Sequence, residues 1–70
     1  MGSDEITKLR ILLNYWMEHN QEHSQEFKEW ADKAKVMGEG QVAEEILQAA
    51  EAMDKAGGLL SQSLKRLEEA

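Results

Sequence analysis

The chain has no cysteine and no proline. Without cysteine, neither a disulfide nor a thiolate metal centre can staple a small fold. Without proline, and with only five glycines, the turn punctuation of an all-β fold is missing. Positive charge is scarce. Eight Lys and Arg stand against fourteen Asp and Glu, for a formal charge of −6 and a pI near 4.8. That balance argues against nucleic acid or an anionic membrane surface as partner. No apolar run approaches the roughly 20 residues of a membrane span, and no signal-peptide pattern opens the chain. The expected setting is the cytoplasm. The chain is also short. Its 70 residues are expected to form a single domain. A lone chain of this size buries only ~60% of the surface its unfolded form exposes.

What is present is helical periodicity. Ser3 is a candidate N-cap, with Asp4 and Glu5 placed where the helix dipole favours them. From Ile6 the apolar positions step by three and four. Read as a heptad, a falls on 6, 13, 20, 27 and 34, and d on 9, 16, 23, 30 and 37. Only Asn20 and His23 interrupt its apolar character. No proline or glycine breaks residues 4–37, so one helix is expected there. Gly38-Glu39-Gly40 is the strongest break, and Lys33 and Lys35 before it suit a helix C-terminus. A second series, Val42, Ile46, Ala49, Met53, Ala56, Leu60, Ser63 and Leu67, predicts a helix over about 41–68. Its phase survives Gly57-Gly58, which favours one helix over a break and a short third helix from Leu59.

Two long helices joined by a short glycine-containing turn form an antiparallel hairpin. With the turn centred near Glu39, Asn20 is expected near Gly58, His23 near Lys55 and Ala56, and Trp16 near Gln62 and Ser63. Helix one offers large residues (Trp16, Phe27, Trp30), and helix two small ones (Ala43, Ala49, Ala50, Ala56, Gly57). Large-against-small packing lets helices interdigitate. Gly57 and Gly58 either make room for helix one or are a local weak point. Ile11, Leu12, Tyr15, Met17, Leu47, Leu59 and Leu64 fall outside the seam, and stripes this wide usually need a further layer. A homodimeric four-helix bundle would supply it; a monomeric three-helix bundle is the rival.

The groups with chemical potential lie between Trp16 and Glu26. His19 and His23 are four apart, on one helical face, and Glu22 and Glu26 lie three beyond each. Imidazoles at this spacing with a carboxylate can supply part of a site for zinc, nickel or another divalent transition metal. The pattern lacks the Glu-x-x-His of di-iron bundles and the His-Glu-x-x-His of metalloproteases. A packing role is the competing reading: Asn20 at a and His23 at d would fix register within the seam. Trp16, Phe27 and Trp30 read as seam residues. No phosphate loop or nucleophile–base constellation is present, and the chain is too short for a pocket of ~300 Å³ within one subunit. The expectation is therefore a non-catalytic interaction or oligomerisation module, with divalent-metal binding as the alternative.

The segment Leu12–Ala31, with Trp16, Glu18-His19-Asn20, Glu22-His23 and Trp30-Ala31, resembles a small prokaryotic helical-hairpin family of unknown function. The Trp-x-Glu-His-Asn-x-x-His pattern is its distinctive part. The likeness extends loosely through Gly38 and the alanine-rich second helix. It implies that the tryptophan, asparagine and histidines act together, in packing or with a ligand.

Overall fold

The computed structural model describes residues 2–69, with side chains from Asp4 onward. The Ser3 cap expected from the sequence lies outside the described side chains. Two helices account for nearly all of it: α1, Gly2–Val36, and α2, Gly40–Glu69. They pack along their length as an antiparallel hairpin measuring 55 × 14 × 11 Å.

The turn is built by Gly38. Its φ of +85° is a left-handed conformation that a side chain rarely adopts. The Gly38 amide donates to the Lys35 carbonyl at 3.0 Å, and the Glu39 amide to the Ala34 carbonyl at 2.9 Å. This pair of bonds is the Schellman motif, and it satisfies carbonyls that the end of α1 would otherwise leave open. The Glu39 carbonyl then accepts the Ala43 amide at 2.9 Å and starts α2. Chain reversal is thus complete within three residues. Helix α2 continues unbroken through Gly57-Gly58, so no third helix forms.

The seam differs in phase from the heptad expected. On α1 the buried and half-buried positions are Leu13, Met17, Asn20, Ser24, Phe27, Ala31 and Ala34. The a series holds from Leu13 to Ala34, with Ile6 exposed, but the second series falls one residue later than assigned. Trp16 and Trp30 are 42% and 51% exposed, and His23 is exposed as well. Ser24, by contrast, is only 2% exposed. The reason is volume. The buried positions on α2 are Ala43 and Ala50, with half-buried Gly57 one heptad further. These small residues let the helices approach closely, and only small residues on α1 fit opposite them. Ser24 and Ala31 enter the seam, while the indoles and the imidazole are held at its flank. Small residues thus meet along the middle of the seam, with Leu13, Met17 and Phe27 of α1 and the half-buried Ile46, Leu47, Met53, Leu60, Leu64 and Leu67 of α2 beside them, so Leu47 and Leu64 are seam residues and not outside it.

The consequence is a thin core. Four of the five buried apolar residues among those described are alanines. Alanine burial contributes little hydrophobic free energy compared with the ~1.5–3 kcal/mol of a buried leucine or phenylalanine. Large apolar side chains remain at the surface, including Leu9, Leu12, Trp16, Trp30, Val42 and Leu59.

Candidate functional site

The two flanks of the seam are chemically opposite. On one flank α1 carries Asn14, Gln21, Lys28 and Lys35 at heptad spacing, and α2 carries Asp54. Four polar contacts from three side chains tie the helices together there. Asn20 Nδ2 donates to the Met53 carbonyl. The Ser24 hydroxyl donates to Asp54 Oδ1 at 2.5 Å and lies 3.4 Å from the Ala50 carbonyl. Lys28 Nζ stands 3.0 Å from Asp54 Oδ2. A helical carbonyl has a second lone pair, so Met53 can accept Asn20 without losing its own helix bond. The hydrogen bond from Ser24, and then that from Lys28, hold the Asp54 carboxyl below its ordinary pKa. Side chains at 20, 24 and 28, one turn apart, thus fix the register of α1 on α2.

That register places Asn20 against Met53 and Gly57, not Gly58. A Cβ at Gly57 would lie 3.0 Å from Asn20 Nδ2. Gly58 faces open space and does not belong to the seam. Of the residues expected in the seam, Asn20, Phe27 and Gly57 are at the helix contact, and Trp16, Trp30 and Gly58 are not.

The other flank is apolar. From α1 it presents Leu9, Trp16, His23 and Trp30, and from α2 Val42, Ala49, Ala56 and Ser63. Two shallow grooves run between these rows, open to solvent and each larger than the ~300 Å³ that so short a chain is expected to preclude. One, of about 450 Å³, is lined by Phe27, Trp30, Val42, Ile46 and Ala49, with Glu26 and Glu45 at its rim. The other, of about 500 Å³, lies toward the open end between Leu9, Leu13, Ser63, Arg66 and Leu67. The Lys33 ammonium sits 4.2 Å from the Trp30 ring centroid, a cation–π contact at the edge of the face.

The histidines lie at the border of this face. Tyr15, His19, His23 and Phe27 form a ladder of rings one turn apart, with successive centroids 4.6, 5.7 and 6.4 Å from one another. His23 Nδ1 is 3.9 Å from Glu26 Oε1. Glu22 lines a solvent-facing acidic depression with Glu18, Gln25, Glu26 and Glu29. Among the described residues, no three His, Asp or Glu side chains converge on a point that could hold a metal ion. His23 lies outside the seam in which the heptad predicts it, and apolar periodicity gives no sign of the contacts made by Ser24, Lys28 and Asp54. The available signal was small-residue spacing: Ser24 and Ala31 are one heptad apart, as are Ala43, Ala50 and Gly57.

No described helix is long and apolar enough to cross a membrane. Searches of curated proteins and of solved structures returned no match. A family model described as a domain of unknown function, DUF8180, matches residues 9–67. That span holds the ring ladder, the Schellman turn and both halves of the seam. The chain belongs to the DUF8180 family.

Proposed function

We propose that the hairpin is a non-catalytic association module whose working surface is the flank carrying Trp16 and Trp30. The single observation that carries this reading is the contrast between its two flanks. One is closed by polar contacts through Asn20, Ser24, Lys28 and Asp54. The other leaves two half-exposed tryptophans beside grooves lined by apolar side chains. Exposed tryptophans of this kind are costly in water and are frequent anchors of binding energy at interfaces.

The test is molar mass by light scattering at tens of micromolar. The reading expects more than the 8.0 kDa of one chain. It expects Trp16→Glu with Trp30→Glu to reduce the particle to 8.0 kDa with helicity retained. Gln21→Glu, on the polar flank, should change nothing. An 8.0 kDa particle in the unaltered protein would end this reading.

A second reading, binding of zinc or nickel by His19, His23, Glu22 and Glu26, draws on one observation: His19 and His23 are adjacent and Glu26 stands beside His23. Among the described residues no three such side chains converge on one point, so this reading requires ligands from a second molecule. Saturating zinc or nickel should raise the thermal midpoint in the unaltered protein and not in His23→Gln. The absence of any rise removes it.

A further inference from the structure

We infer that the occupant of the apolar flank is a second copy of this chain, related by a two-fold axis that crosses α1 at His23, with the two turns at opposite ends of the assembly. This rests on the association reading above and specifies its geometry.

The first argument is area. A compact protein of 8.0 kDa exposes about 4,450 Å² by the mass scaling of folded monomers. The hairpin exposes 5648 Å². The surplus of roughly 1,200 Å² exceeds the ~800 Å² that each partner buries in an interface of standard size.

The second argument is the symmetry of the sequence itself. The flank stripe of α1 runs Leu9, Trp16, His23, Trp30, and Met37 follows it in the turn, one residue past the helix end. It has the same character in either direction from His23. An antiparallel two-fold at that point sets Trp16 against the partner's Trp30, and Leu9 against the partner's Met37. Isologous interfaces require this self-complementarity. The bordering stripe, Leu12, His19, Glu26, Lys33, has nearly the same centre. There the operation brings the imidazole of His19 to the partner's Glu26, a donor to an acceptor, twice per dimer.

Helix α2 gives the same centre independently. Its flank stripe, Val42, Ala49, Ala56, Ser63, is centred between residues 52 and 53. The contacts of Asn20 with Met53, and of Ser24 with Ala50, place that point level with residues 20–24 of α1. One axis perpendicular to both helices therefore passes through the middle of both stripes. Ala49 then meets the partner's Ala56 and Ala56 the partner's Ala49, and these small residues permit close contact. The partner's Trp16 arrives beside Trp30, in the groove lined by Phe27, Val42, Ile46 and Ala49. Glu26 and Glu45 at its rim supply acceptors for the indole N–H.

The absence of cysteine from the chain makes the test direct. Single-cysteine variants are treated with a short bismaleimide after helicity is checked by circular dichroism. His23→Cys should cross-link to itself. Leu12→Cys and Lys33→Cys, which the same axis brings together, should each fail alone and cross-link when mixed. Gln21→Cys, on the opposite flank, should not cross-link. A dimer in which Leu12→Cys links to itself would overturn the antiparallel axis and leave association intact. A monomer under all conditions would overturn both. A second arm, like the first, spares the tryptophans. His19→Glu should weaken dimerisation about tenfold at low salt, and Glu26→Lys in the same chain should restore it. Equal affinity for all three proteins would also overturn the register.

Discussion

Gly57 and Asn20 occupy each other's space: a Cβ at Gly57 would come within 3.0 Å of the Asn20 amide nitrogen, which is itself bonded to the Met53 carbonyl. A methyl group at 57 must push the Asn20 amide outward, against the close approach of α1 that this glycine permits. Gly57→Ala should therefore destabilise the hairpin by a net ~1 kcal/mol, overpacking outweighing the gain in helix propensity. Gly58→Ala meets nothing within 4 Å and should stabilise by about 0.4–1 kcal/mol. Urea unfolding of the two variants checks both signs. Equal effects would show that the two glycines do not differ in packing.

Ser24 sits where a larger residue cannot. Ser24→Val should cost about 1–3 kcal/mol through overpacking against α2, and Ser24→Ala less. The same comparison one residue earlier is informative, because His23 is exposed in the hairpin. His23→Val should leave the helical content of a dilute sample unchanged. A larger loss of stability at 23 than at 24 in the monomer would restore the heptad phase that the structure replaces.

Asp54 makes the hairpin acid-sensitive in a defined direction. Its folded pKa is lowered from 3.8, first by the Ser24 hydrogen bond and then by Lys28. A depressed carboxylate contributes stability that is fully present above the unfolded pKa. That contribution is lost as pH falls through the folded value. The thermal midpoint of the unaltered protein should exceed that of Asp54→Asn at pH 7, and the difference should shrink below pH ~4. Ser24→Ala should reduce the same difference. A gap that persists at pH 2 would contradict the assignment.

The hairpin and its turn are legible in the sequence. Gly38 stands where a left-handed residue is needed, and the three-four stepping of both helices runs to within about four residues of their ends. The face that meets α2 is less legible. Hydrophobic periodicity ranks Trp16 and Trp30 above Met17 and Ala31, and so draws the seam one position too early. What decides the phase is the volume available opposite Ala43, Ala50 and Gly57, a property of the helix pair and not of either helix. Asn20 was recognisable as a seam residue because it interrupts an apolar stripe. Ser24 was not, because a serine beside glutamines and glutamates reads as surface. The Asp54–Lys28 contact joins residues 26 apart on two helices, and no local pattern announces it.

The tryptophans should separate folding from association. A buried aromatic truncated to alanine costs ~3–5 kcal/mol of fold stability. Trp16 and Trp30 are about half exposed, so each should cost the isolated hairpin clearly less. Their effect should fall on assembly, where an anchor of this type carries at least ~2 kcal/mol, roughly 30-fold in dissociation constant. Sedimentation of Trp30→Ala should show a lighter particle whose helicity is retained at high concentration. Full unfolding of both single variants at all concentrations would place the indoles in the fold itself.

The most direct test of the central claim, that this thin-cored hairpin is completed by a second copy, is the thermal midpoint measured against protein concentration. Coupling of folding to dimerisation adds about 1.4 kcal/mol per tenfold increase in concentration. For an assembly of this size the midpoint should then climb by roughly 3–5 °C per decade. A midpoint that stays constant from one to several hundred micromolar, with a particle mass of 8.0 kDa throughout, would contradict the account.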